Sequence, residues 1–360
     1  MSSTLVTHQA SVSPSHRRHA TTVLPLDVGT EQWDAFVARA EGSTFCHLAG
    51  WREIMSDVLG HECLYRVAVD EAGTWQGVLP LVRVRSRLFG HYLVSMPFLN
   101  YGGPLGAPDA QGRLMEEGVE LARRSSADLL ELRVRHAVPC DLRVSHRKIT
   151  VLLDLPDSAD VLWHKVLPSS RRRQISRAQR EEMEVRFGLD QVEPFYEVFA
   201  RNMRDLGTPV LPRGLFERIA RVFARCAVFG AVYWRGQPLA AGCGLVWRGE
   251  FEITWVSSLR EHDHKMPNML LYWSYMEQMI GRGVRVFNFG RCTPGGRTHQ
   301  FKHQWGGVDA PLPWLQWSPR QLDATPSPNR PLYRVATALW RRVPMGLANR
   351  MGPGLARQFP

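Results

Sequence analysis

In the second half of the chain, runs of apolar residues are cut short by turns. Residues 228–234, 239–247 and 251–259 have strand character, parted by Arg235-Gly236-Gln237-Pro238 and Arg248-Gly249-Glu250. Turns this short join antiparallel neighbours. A polar segment over 260–268 leads into a helix predicted over 269–280, where Met269, Trp273, Met276 and Ile280 recur on one face. Gly281 and Gly283 stop it, and 284–289 predicts a closing strand. The first half repeats this order. Strands are expected over 64–69, over 75–85 as one long strand, and over 91–99; a helix over 112–125 and a strand over 128–135 follow. A repeat of this length means two similar domains rather than a solenoid.

Meander, helix, strand is the core order of the GNAT acyltransferase fold, in which the third and last core strands splay apart around the donor. The expected architecture is α+β: two tandem GNAT-like domains with mixed, mainly antiparallel sheets flanked by helices. The divisions are a disordered leader over 1–22, an N-terminal domain over 23–160, a C-terminal domain over 161–320 and a basic amphipathic tail over 321–360. Two unrelated α+β domains are the alternative. A junction helix starts near Ser169 or Ser170 and puts Arg173, Arg177 and Arg180 on one face. In the tail, Trp340, Val343, Leu347 and Met351 alternate with Arg341, Arg342, Arg350 and Arg357, and Pro344 and Pro353 are expected to interrupt any helix. The tail suits an anionic membrane surface, or packing on the protein itself.

Composition narrows the class. A chain of 360 residues, 44% hydrophobic and 22% charged, has the make-up of a globular protein, and no apolar run is long enough to span a bilayer. The leader lacks an apolar core, so no secretory signal is expected. Six cysteines without CxxC spacing argue against a zinc site or a disulfide framework and fit a reducing cytoplasm. A net charge of +11 favours anionic partners.

The richest chemistry lies in VRVFNFGRCTPGGRTHQFKHQWGG, 284–307. The strand is expected to end at Gly290 and open into a polar loop carrying Arg291, Thr293, Arg297, His299, Lys302 and His303, with Phe301 and Trp305 flanking the lysine. Two arginines and a lysine suit an anionic substrate or a developing negative charge. A solvated basic loop pinned by two buried rings is the alternative. No HxxxH pair is expected on a helix, so no metal is expected from His262, His264, His299 and His303. Neither a GxSxG elbow nor a Cys–His signature suggests an acyl-enzyme.

Five segments together carry a resemblance: FNFGRCTPGG…FKHQWGG, RNMRDLGTP at 201–209, PNMLLYW at 267–273, the GWREI stretch at Trp51, and FLNYGGPLG at 98–106. Over most of 30–320 the chain resembles the FemAB family of aminoacyl and acyl transferases, in its exosortase-associated (PEP-CTERM) branch. The resemblance implies attack by an amine or hydroxyl on an activated acyl or aminoacyl group. Aminoacyl-tRNA is the donor in the peptidoglycan-bridge members. Lys302 matches the lysine the family places before its Phe/Trp-Gly-Gly, a position suited to stabilising an oxyanion. Asn202, Arg204 and Thr208 match acceptor-site residues, although a capped helix end at Gly207-Thr208-Pro209 accounts for part of that motif. Further substrate-binding candidates are Arg291, Asn268 at the helix start, Tyr101 beside Asn100, Trp305, and Arg171, Arg172 and Arg173 at the domain junction.

One departure concerns the donor. Coenzyme-A-dependent GNAT enzymes hold the pyrophosphate on a glycine-containing loop, and residues 260–268 contain no glycine. The expectation is therefore a FemAB-like transferase acting on a cell-envelope or exopolysaccharide precursor, with no tightly bound cofactor and with aminoacyl-tRNA or acyl-CoA as donor. It would be cytoplasmic, with peripheral inner-membrane contact through 332–360. The rivals are an acyl-CoA-dependent N-acyltransferase and a non-catalytic RNA- or membrane-surface-binding protein.

Overall fold

The structure, a computed structural model, describes residues 21–26, 29–86, 90–319 and 331–359, with the side chains of 331–334 left aside. The leader expected over 1–22 lies outside them, apart from its last two residues, and Thr22 already pairs with Val69.

The C-terminal meander forms as its turns dictate. Strands Ala227–Trp234, Gln237–Trp247 and Glu250–Ser258 pair antiparallel through two-residue turns. Arg235 and Gly236, and again Arg248 and Gly249, all take positive φ, as a primed hairpin turn requires. Helix Pro267–Gly281 lies across this sheet. Its Tyr275 hydroxyl donates to the Gly242 carbonyl at 2.7 Å, and a Cβ at Gly242 would stand 3.1 Å from the Tyr275 ring. The strand after the helix, Val286–Cys292, joins Glu250–Ser258 in parallel over three residue pairs, Glu250 to Glu252 against Val286 to Asn288. Beyond that point the two strands part, and this splay is the opening expected of the fold.

The two halves exchange strands, so a single cut at residue 160 does not separate them. Strand Ile149–Asp154 pairs with Val286–Cys292 and Val308–Pro311 in the C-terminal sheet. Strand Trp314–Trp317 returns to pair with Leu129–Leu132 and Arg143–Ser145 in the N-terminal half. The expected long strand over 75–85 is likewise divided into Trp75–Leu79 and Leu81–Ser86, which belong to different sheets. Pro80 stands between them and has no N–H to give a ladder.

The N-terminal half has its own parallel pair, Gly90–Ser95 with Leu129–Leu132, but the gap beyond it is filled. Arg133 donates to the carbonyls of Met96 (3.1 Å) and Leu99 (2.8 Å), and the Trp314 indole donates to the Asn100 carbonyl at 3.1 Å. Residues 96–104 thereby plug the first opening and carry Asn100 and Tyr101 into the second.

The tail forms two helices, Pro331–Trp340 and Met345–Ala356. Pro344 separates them as expected, whereas Pro353 lies inside the second. No helix among the described residues is long and apolar enough to cross a membrane.

Candidate active site

The strand expected to end at Gly290 continues to Cys292, and the expected loop is a helix, Arg297–His303. Gly290 takes φ +70° where the register with Ile149–Asp154 slips. Such a bulge re-aims the strand, and it leaves the carbonyls of Gly290 and Arg291 as acceptors for Lys302. The Lys302 ammonium donates to them at 2.5 and 3.0 Å. Lys302 is only 4% exposed, and burial pushes its pKa down to about 8. An ammonium has three N–H donors, so one remains for a third acceptor.

Arg291 stacks 5.6 Å over the Trp314 ring and donates to the Leu99 carbonyl at 3.3 Å. Desolvation lowers its pKa to about 10. Tyr101 lies at the base of the opening, its hydroxyl accepting from the Asn288 amide at 3.2 Å.

Beneath these cations runs a buried polar network that the sequence reading missed. Glu252 is 1% exposed and accepts from the Asn100 amide at 2.6 Å. Burial, reinforced by neighbouring Glu250, pushes its pKa up to about 8, so the carboxyl is protonated at neutral pH. Asn288 accepts from the Thr150 hydroxyl (2.5 Å) and the Gly290 N–H (2.8 Å) and donates to Glu250 (2.8 Å). Glu250 in turn pairs with Arg135 at 2.5 Å. The signal was there to be read: Glu252 and Asn288 are polar residues set between apolar neighbours in FEITW and VFNFG. Burying such groups is costly unless they are bonded to one another.

Arg171, Arg172 and Arg173 do not form one cluster. Arg171 is buried, 5.2 Å over Trp305 and 5.6 Å over Phe301, and reaches Gln304 and the sulfur of Met269 in the first turn of Pro267–Gly281. Its Nε, the Trp305 indole N–H and the Asn268 amide oxygen are all buried without a hydrogen-bond partner. Asn268 is the second residue of its helix rather than its cap, which is Met266. Arg172 instead donates to the carbonyls of Trp163 and His164, and Arg173 faces solvent along with Arg177 and Arg180.

The RNMRDLGTP residues also stand apart from Lys302. Gly207 at φ +80° ends helix Val192–Leu206, with its N–H on the Arg204 carbonyl and that of Thr208 on the Met203 carbonyl. Thr208 is exposed, so its structural part is played by backbone. Arg204 pairs with Asp205. Asn202 donates to the Ser257 hydroxyl at 3.0 Å. That residue is five positions beyond Glu252 on its strand, about 16 Å away.

The reason for expecting no metal is corrected. His299 and His303 do stand one turn apart on a helix, and with Asp309 their ligand atoms lie within 4.8 Å of one another. The His299 Nδ1 accepts the Gly295 N–H at 3.0 Å, which puts its ring proton on Nε2, aimed at Asp309 (2.9 Å). Metal-bound histidines usually donate through that second nitrogen. The trio is built as a hydrogen-bonded clamp fastening the Lys302 helix to strand Val308–Pro311.

Comparison with known proteins places this geometry. A family model described as an acetyltransferase (GNAT) domain matches residues 169–303. No curated protein matches the chain. Among solved structures, FemX superposes with a TM-score of 0.62 at 13% identity, covering 87% of this chain and 100% of that one. L-PGS from Bacillus licheniformis gives 0.53 at 13% identity, covering 87% and 96%. The C-terminal domain of a protein titled as a lysylphosphatidylglycerol synthetase, from Agrobacterium fabrum, gives 0.55 at 16% identity, covering 80% and 90%. The chain therefore has a tandem GNAT-like fold, similar to that of FemX, with the matched GNAT domain holding Lys302 at its strand opening.

Proposed function

We propose that this protein transfers an acyl or aminoacyl group directly from an activated donor to an amine or hydroxyl. The observation that carries the reading is the Lys302 ammonium, fixed by two carbonyls at the mouth of the splay with one N–H unspent. The acceptor attacks the donor carbonyl, and a C–N or C–O bond forms. The negative charge that develops on the carbonyl oxygen is met by that N–H in a desolvated site. Collapse breaks the donor's ester or thioester bond, and the acceptor's proton passes to the leaving oxygen or sulfur. Cysteine nucleophiles are ill suited, because burial raises the pKa of Cys63 to about 12 and of Cys226 to about 11, and that of Cys292 also rises.

Aminoacyl-tRNA is the donor this reading favours. Arg171, with an unspent N–H at the start of Pro267–Gly281 and the buried Trp305 ring beneath it, would turn to meet its terminal phosphate. The exposed face of Arg173, Arg177 and Arg180 would follow its backbone. The acceptor would be a cell-envelope or exopolysaccharide precursor, as the exosortase-associated resemblance implies. Acyl-CoA is the second reading, favoured by the match to a GNAT acetyltransferase domain. Binding of charged tRNA, uncharged tRNA and acyl-CoAs to the purified protein separates the two. Tighter binding of charged tRNA supports the first, and saturable acyl-CoA binding without it replaces the first by the second. A non-catalytic protein would bind either with full indifference to Lys302→Met.

A further inference from the structure

Both tail helices turn large apolar residues toward solvent. On the second helix small residues face the protein, with Met345 packed beside them, whereas on the first Thr337 and Trp340 are half-buried and Ala336 and Ala338 are exposed. Ala348, Gly352 and Ala356 are buried, and a Cβ on Gly352 would stand 2.9 Å from Val210. Thr337 covers Gly207, where a Cβ would lie 2.4 Å from its methyl group. Four large apolar residues face outward: Val335 is 57% exposed, Leu339 61%, Leu347 46% and Met351 47%. They fall as one i,i+4 pair on each helix, and Leu206, against whose carbonyl Arg341 rests, is exposed beside them. Exposed large apolar residues are thus concentrated in one region, and such concentration marks an interaction surface.

The charge says what that surface meets. From Ala324 to Pro360 the sequence contains no acidic residue, while Arg341, Arg342, Arg350 and Arg357 are all exposed. A second copy of this face would oppose arginine to arginine. A nucleic acid would use the arginines and leave the four apolar side chains in water. An anionic bilayer surface satisfies both, with apolar side chains entering the headgroup boundary and guanidinium groups on the lipid phosphates.

We infer that the tail helices dock this protein on an anionic membrane surface. Thr337 sits on the end of helix Val192–Leu206, which carries Asn202 and Arg204. Docking therefore holds that end of the splay beside the bilayer. If the transfer proposed above is correct, it presents that end to an acceptor carried in the lipid.

The test is co-sedimentation of the full chain with phosphatidylcholine vesicles, with and without phosphatidylglycerol, at low and high salt. Binding should need phosphatidylglycerol, weaken with salt, and fall roughly tenfold in Leu339→Glu/Leu347→Glu and in Arg341→Glu/Arg342→Glu. An unchanged melting temperature would show that these variants are folded. The inference is overturned if no vesicle is bound, if the leucine variant binds as well as wild type, or if these substitutions instead dissolve a dimer. Vesicle binding is read without any transfer assay, so it stands or falls apart from the proposed reaction. Lys302→Met should bind vesicles as wild type does.

Discussion

Replacing Glu252 with glutamine tests the network beneath the site. The folded carboxyl titrates near pH 8, while the unfolded chain releases the same proton near 4.5. Between those values the folded state holds the extra proton, so stability falls as pH rises through the window. The full slope for one group is about 1.4 kcal/mol per pH unit. Coupling to Glu250 and Lys302 reduces the sum, and about 2–3 kcal/mol is expected across the window. Lys302 acts in the opposite sense. Its pKa is lowered from 10.5 to about 8, so between those values the unfolded chain holds the extra proton and stability rises with pH. The wild type should therefore have a stability minimum near pH 8. His47 and His61, both lowered to about 4, contribute a rise between pH 4 and 6.5 that wild type and variant share. The informative quantity is thus the difference between the two proteins. Urea unfolding from pH 5 to 9 should show Glu252→Gln equal to wild type at pH 5 and more stable by about 2–3 kcal/mol at pH 8. A difference that stays constant across pH would refute a buried, protonated Glu252.

Four further outcomes follow from the site and its support. Lys302→Met should leave urea stability within about 1 kcal/mol of wild type at neutral pH, because removing a desolvated ammonium is offset by the Gly290 and Arg291 carbonyls losing its bonds, while transfer falls by about 10²–10³; wild-type transfer should decline as pH rises through about 8, where that ammonium loses its proton. Gly290→Ala should cost about 1–2 kcal/mol in urea unfolding, since an L residue must adopt φ +70° with its Cβ 3.1 Å from the Ile253 carbonyl, and should slow transfer by shifting the Lys302 acceptors. Tyr275→Phe should cost about 1 kcal/mol by removing the buried hydroxyl's bonds to the Gly242 and Val228 carbonyls, as measured by thermal unfolding. Arg171→Lys retains the charge but loses the planar fork over Trp305, so donor binding in titration calorimetry should weaken by about tenfold with the acceptor KM unchanged.

The sequence by itself determined the local elements. Gly236 and Gly249 admit only tight hairpins between their strands, the spacing of Met269, Trp273 and Met276 sets one helix face, and the repeated order yields the tandem fold. Lys302 stood out by its match to the lysine that the FemAB family places before its Phe/Trp-Gly-Gly. The tertiary structure decided the partners. Nothing local to 149–154 or 314–317 says which sheet those strands join, because edge pairing depends on which neighbour leaves its N–H and C=O groups free. For the same reason residue 160 is not a boundary in space. Three consecutive arginines on a helix point about 100° apart; only packing against Phe301 and Trp305 made Arg171 a buried group and left Arg173 in water. The site followed the same rule. Gly290 had to bulge before its carbonyl could hold Lys302, and residues 96–104 had to bridge from the first opening into the second before Asn100 could meet Glu252. The first contact joins separate elements 12 positions apart and the second joins residues 152 apart, and a periodicity confined to one element carries no information about either.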